Sequence, residues 1–178
     1  EGIKSNLIKP QFHGREHVNV PLWLKELKDN NKPLIDAFNL GFWGIPNSLY
    51  SSNKLNIQAS YDSCKKTDVE FYRKSVENGL NLFEDLFKYK SKSFIANNYV
   101  WNERLNFILK RNGIDFLQGM KYQKLPLSNY NNARKKKKVY TGLKNENGQI
   151  HFVRNCVFEP AHYSNIDNVG NCLNNIQE

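Results

Sequence analysis

Two of the four histidines, His13 and His17, stand four residues apart. Imidazole is the commonest side-chain ligand for zinc and similar ions, and two rings at this spacing can converge on one ion when the backbone between them coils through about one turn. The competing explanation is that both rings hydrogen-bond locally in a polar loop. The same string, His13-Gly14-Arg15-Glu16-His17, satisfies H-x-x-E-H, the inverted zinc-protease pattern in which the glutamate activates a water. That chemistry needs the five residues inside a regular helix and a further carboxylate from a downstream helix, for which Glu77 and Glu84 are the candidates. Pro10 and Gly14 before, and Val18-Asn19-Val20-Pro21 after, break such a helix, so the protease is the weaker reading.

The elements that must position these rings follow from capping and periodicity. Asn19 ahead of Pro21 predicts a helix from about residue 20 to 29. Asn30 to Pro33 ends it, and a second short helix spans Leu34 to Leu40 and stops at Gly41. Phe42-Trp43-Gly44-Ile45-Pro46 reads as an aromatic loop. A long helix starts at Thr67 with Glu70 in a capping box, and Val69, Tyr72, Val76, Leu80, Phe83 and Phe87 line one face. Ser93 to Ala96 is a core strand, Trp101 to Arg111 a helix closed by Gly113, and Ile114 to Gln118 the next strand. Residues 139–143 and 149–153 flank Asn145-Glu146-Asn147-Gly148, a hairpin turn. Val169, Leu173 and Ile176 mark a final helix. Alternating strands and helices predict an α/β sheet or barrel, with a β-hairpin insertion near 136–155, in a single domain over 1–178.

Composition narrows the classes. With 178 residues, 39% hydrophobic and 24% charged, the chain has the makings of one globular core. No apolar run reaches the roughly 18 to 20 residues of a bilayer span. The three cysteines, Cys64, Cys156 and Cys172, lack metal-ligand spacing and cannot all pair with one another. They disfavour a disulfide scaffold and favour a reducing, cytoplasmic setting over export. Five of the nine excess positive charges form one run, Arg134 to Lys138, so the basicity is local.

His13-Gly14-Arg15-Glu16-His17, Asn19 to Leu24, Phe42-Trp43-Gly44, Ser91 to Asn102 and Val153 to Pro160 together resemble a bacterial branch of the polysaccharide deacetylases, the NodB-homology carbohydrate esterases. The resemblance covers most of the chain. It implies a distorted (β/α) barrel, with a divalent metal, usually zinc, at the C-terminal ends of the strands. It also implies an acetylated polysaccharide or oligosaccharide as substrate. His13 and His17 match the family's His-Ser/Thr-x-x-His metal motif, with Gly14 in place of the hydroxyl residue that braces the loop. Tyr99 matches the tyrosine of Arg-x-Pro-Tyr, whose backbone N–H helps hold the oxyanion; the arginine is replaced. The Asp-Asp strand that supplies base and third ligand, and the Leu-x-His strand that supplies the acid, have no counterpart here. The expectation is therefore an internal, incomplete piece of a deacetylase-like barrel. A non-catalytic carbohydrate-binding relative is the rival.

Trp43, Tyr99 and Trp101, at predicted loop or strand ends, are candidates for a sugar platform, although Trp101 opens the apolar stripe of a helix and the core is the stronger reading for it. Trp23 reads as core. His151, alternating with Ile150 and Phe152, is expected to face solvent, and His162 stands at a strand end. The lysine run, flanked by Tyr130 and Tyr140, reads first as a solvated loop and second as a surface attracting anionic polysaccharide. Nucleic acid comes last, because no recognised binding motif accompanies the run.

Overall fold

The computed structural model describes residues 1–46, 48, 56–127, 133–156, 158, 161 and 166–177. His162, Tyr130, Val157, Glu159 and Pro160 lie outside the described residues.

Helix α1, Val20–Lys28, begins where Asn19 accepts the Leu22 N–H on its side chain, with Pro21 in the first turn. Asn19 is buried and also donates to the carbonyls of Ala59 and Asp62 and accepts from the Tyr72 hydroxyl. One capping residue thus ties α1 to two other segments. Helix α2, Lys32–Asn39, takes Pro33 into its first turn rather than starting after it. Helix α3, Lys66–Phe87, buries Tyr72, Val76, Gly79, Leu80 and Phe83. The capping box does not form. Ser63 accepts the Lys65 N–H and donates to Asp68, while Glu70 pairs with Arg73.

Strands β1, Ser93–Ile95, and β2, Phe116–Gly119, are joined by helix α4, Leu105–Arg111. They pair in parallel as Phe94↔Leu117. Phe12 adds a parallel bridge on the other side of Phe94. Strands β3, Tyr122–Lys124, and β4, Lys136–Lys138, form a separate antiparallel ribbon. Strand β5, Ile150–Val153, pairs in parallel with β2, giving the order β1-β2-β5. The architecture is mixed α/β with two small sheets, and no closed barrel is seen among the described residues. Phe12, Tyr72, Val76, Phe83, Phe94, Leu105, Leu109 and Leu117 make the main core, between one face of the sheet and helices α3 and α4. Ile95, Phe116 and Gln118, on the other face, are only partly covered.

The hairpin expectation is corrected in part. The turn is real: Gly148 N–H donates to the Asn145 carbonyl, and Asn145 N–H to that of Gln149. Its returning arm is no insertion, because β2 offers a free strand edge and 150–153 fills it. This register turns His151 to the core beside its partner Leu117 and turns Phe152 outward, the reverse of the expectation.

The lysine run is likewise not simply a solvated loop. Arg134 pairs at 2.7 Å with the buried carboxylate of Asp62, and Lys137 pairs with Glu103. Helix α5, Asn168–Gln177, forms, but Val169, Leu173 and Ile176 are exposed. Cys156 and Cys172 are bridged with their Cα atoms 5.5 Å apart, so the odd cysteine count did not preclude one disulfide; Cys64 is free. This pairing runs against the argument for a reducing setting. No helix among the described residues is long and apolar enough to cross a membrane.

Candidate metal centre

His13 follows Phe12 directly, at the C-terminal end of the parallel sheet. Gly14, at φ +99°, turns the chain there. The loop from His13 to His17 is not helical, as the flanking residues predict. Its floor is α3: Ser75 donates to Glu16 at 2.8 Å, and Arg15 pairs with the same carboxylate. Gly79 permits this approach, since a Cβ there would lie 2.9 Å from both the Phe12 ring and the Arg15 Cβ. Glu16 is therefore engaged with Arg15 and Ser75 on the helix side of the loop.

Both rings are held in the same way. His13 Nδ1 lies 2.9 Å from the Ile95 carbonyl, and His17 Nδ1 lies 2.7 Å from the Gln58 carbonyl. A carbonyl oxygen can only accept, so each Nδ1 carries a proton, and in the neutral form of either ring the lone pair is on Nε2. Backbone carbonyls commonly orient metal-binding histidines in this fashion. The ring centroids are 5.6 Å apart. Burial pushes the His13 pKa below its ordinary value, the hydrogen bond to Ile95 opposes this, and the neighbouring His17 adds to the lowering. The neutral form, which a metal requires, is thereby favoured.

The surroundings supply a brace that the sequence left out. A Cβ on Gly14 would lie 2.6 Å from the hydroxyl of buried Tyr61. The Tyr61 hydroxyl thus sits against the loop where a side chain at position 14 would stand. Asn97 donates to the His13 carbonyl and receives the Ser60 hydroxyl, linking the loop to the turn at Asn97–Tyr99. No periodicity or motif marked Gln58, Ser60 or Tyr61, because their contribution depends on contacts across distant segments.

Of the predicted site residues, His13, His17 and Trp43 are brought together: Trp43 is exposed, with its ring 6.2 Å from that of His17. Tyr99 lies at the same end of the sheet. Its N–H donates to the Ala96 carbonyl at 3.0 Å, so that amide is already engaged. Its ring lines a cavity of about 260 Å³ with Ile95, Gln118, Phe152 and Arg154, and the Arg154 guanidinium lies 5.8 Å from the ring centre. Trp101 is placed elsewhere. Its indole is inside the core with its N–H on Asn106, and it presents no face to a sugar. Trp23 is partly buried against the small cluster of Leu22, Leu34 and Ile57.

The donor set fits two ligands of a divalent ion of the zinc type, and among the described residues no third His, Cys, Asp or Glu groups with them. Compared with protein-family models, curated proteins and solved structures, the chain shows no match in any of the three.

Proposed function

We propose that this protein is a metal-dependent hydrolase of the polysaccharide deacetylase type, acting on an acetylated bacterial polysaccharide or oligosaccharide. Its scaffold would be the distorted (β/α) barrel of that family. The observation that carries the reading is the pair of imidazoles at the C-terminal end of parallel strands, each with Nδ1 fixed on a backbone carbonyl and Nε2 left as the donor. The placement of α3 and α4 against one face of the sheet, with the other face only partly covered, is in keeping with such a barrel.

His13 and His17 would hold the ion. When bound, a divalent ion supplies Lewis acidity toward an acetyl carbonyl and lowers the pKa of water. The chain's own contribution is positioning. The loop between the histidines is fixed to α3 through Glu16 and Ser75, and Trp43 offers an apolar ring beside His17 on which a pyranose face can stack. Tyr99 offers its ring to the neighbouring cavity, since its amide is engaged.

A second reading, the non-catalytic carbohydrate-binding relative, is favoured by one observation: among the described residues no carboxylate joins the histidine pair to serve as base. The protease has the least support, because Glu16 is taken up by Arg15 and Ser75 outside any helix.

Zinc titration calorimetry, with acetate release from acetylated oligosaccharides, separates the three. The deacetylase requires zinc binding that weakens by at least about tenfold in His13→Ala and in His17→Ala, with acetate release lost alongside. Sugar binding that survives chelation without acetate release would install the binding protein instead. Peptide cleavage abolished by Glu16→Gln would install the protease.

A further inference from the structure

The ribbon of β3 and β4 carries a feature that neither metal binding nor the core explains. Its pairs are Tyr122↔Lys138, Gln123↔Lys137 and Lys124↔Lys136. Side chains alternate across a strand, so Gln123 and Lys137 share one face. That face is anchored: Gln123 is buried, Lys137 meets Glu103 at 2.6 Å, and Arg134 just ahead of β4 meets Asp62. The opposite face presents Tyr122, Lys124, Lys136 and Lys138, all exposed. Among the described residues, none of these three lysines has an ion-pair partner.

Lys124 and Lys136 stand directly across from each other, and like charges so placed destabilise a strand pair. A two-stranded ribbon is itself marginal. Blunting a sheet edge against aggregation can be done with a single lysine. It does not account for three cations and a tyrosine gathered on one face of both strands. The ribbon also stands in a useful place. Tyr122 is three residues past Gly119, the last residue of β2, and Val100, next to Tyr99, bridges to Lys124. The cationic face therefore grows out of the sheet end where His13 and His17 sit.

We infer that the face formed by Tyr122, Lys124, Lys136 and Lys138 binds an acidic polysaccharide, its carboxylates meeting the lysines and a sugar ring lying on the tyrosine. The choice of a sugar polymer rests on the deacetylase reading. A sugar polymer is favoured over nucleic acid because single-stranded nucleic acids are held by successive aromatic platforms, and within the paired strands of the ribbon Tyr122 is the one ring on this face.

The test uses the full chain with EDTA present throughout, so that metal plays no part. Binding of de-esterified hexagalacturonate is measured by calorimetry over a range of salt, beside neutral chitohexaose and a single-stranded oligothymidylate of matching charge. The wild type should prefer hexagalacturonate. Lys124→Gln/Lys136→Gln/Lys138→Gln should lose roughly tenfold or more in affinity and flatten the salt dependence by about two in log–log slope, with an unchanged far-ultraviolet dichroism spectrum. Lys136→Glu alone should weaken binding further than Lys136→Gln. Tyr122→Ala should weaken it without changing the slope. The proposal is overturned by a triple variant that binds like the wild type, by equal affinity for chitohexaose, or by tighter binding of the oligothymidylate. His13→Ala/His17→Ala should bind hexagalacturonate normally, so a failure of the deacetylase reading appears as absent acetate release with this binding intact.

Discussion

The His13–His17 loop is held by backbone carbonyls 82 and 41 residues away in the chain, whereas the outer face of the lysine ribbon is left with three cations that meet no carboxylate among the described residues. Both regions are polar, and both lie at one end of the parallel sheet. They differ in where the polar groups find their partners. At the loop, the imidazoles are held by backbone carbonyls from within the fold, which fixes ring orientation and tautomer. On the ribbon, the charges stay hydrated and their orientation is free, so they can respond to a polyanion but cannot hold a small ion in a set geometry. A built centre and an electrostatic surface are thus distinguishable by the satisfaction of their polar atoms, and the contrast can be pressed by mutation.

The sharpest break lies inside the basic run itself. Arg134 is mostly buried against Asp62, whose side chain is 4% exposed and also accepts the Leu127 N–H. Asp62→Ala leaves a guanidinium without its counter-charge, and breaking a buried pair on one side costs about 3 kcal/mol or more. The expected result is a large fall in the urea midpoint. Equal urea midpoints for Asp62→Ala and the wild type would mean that the run is solvated throughout.

At the loop, Gly14→Ala should cost about 2 kcal/mol. It places a side chain at φ +99° and drives a Cβ to 2.6 Å from the Tyr61 hydroxyl. Adding Tyr61→Phe to Gly14→Ala removes the hydroxyl but not the backbone strain, so it should restore only part of the loss. Full restoration would show that the left-handed turn is of no consequence and that the brace alone matters.

What could be read from residues alone tracks the range of the interactions involved. Asn19 and Pro21 announced α1 because a cap is local, and the stripe from Val69 to Phe87 announced α3 because helical periodicity is local. The nearness of His13 and His17 followed from their spacing, but not the carbonyls of Ile95 and Gln58 that orient them, nor the hydroxyl of Tyr61 beside Gly14. Thr67 and Glu70 matched a capping box, yet the helix starts without a side-chain cap: Ser63 accepts the Lys65 N–H ahead of it and donates to Asp68, and Glu70 is drawn to Arg73. His151 illustrates the remaining difficulty. Alternation on its strand was legible, but which side faced the core depended on pairing with β2, and a shift of one residue exchanges the two faces. Trp101 met a related fate: its place at a predicted loop or strand end suggested the site, and the packing of Phe94 and Asn106 took it into the core.

The gentlest probe is protonation, because His13 of the loop and the buried His151, which faces Lys137 of the ribbon, each resist a charge for a different secondary reason. Burial lowers the pKa of His13 first and foremost, and His17 contributes a smaller lowering. Burial also dominates at His151, where the cation of Lys137 lowers the pKa further and Glu103 opposes it. Both folded values lie below the ordinary 6.5. The stability that each neutral ring contributes is therefore fully present above that pH and is lost as pH falls through the lowered folded values. Lys137→Gln should raise the His151 titration midpoint, followed by carbon-proton resonances of the rings, and should leave His13 where it is. Zinc should do the opposite, suppressing titration of His13 while His151 titrates as before. If Lys137→Gln moved His13, or if zinc moved His151, the loop and the ribbon would be one coupled electrostatic unit. Independent responses would place the ribbon's charge and the proposed metal ligands in separate fields, so that the polyanion attraction and metal affinity proposed for them could be tuned without affecting each other.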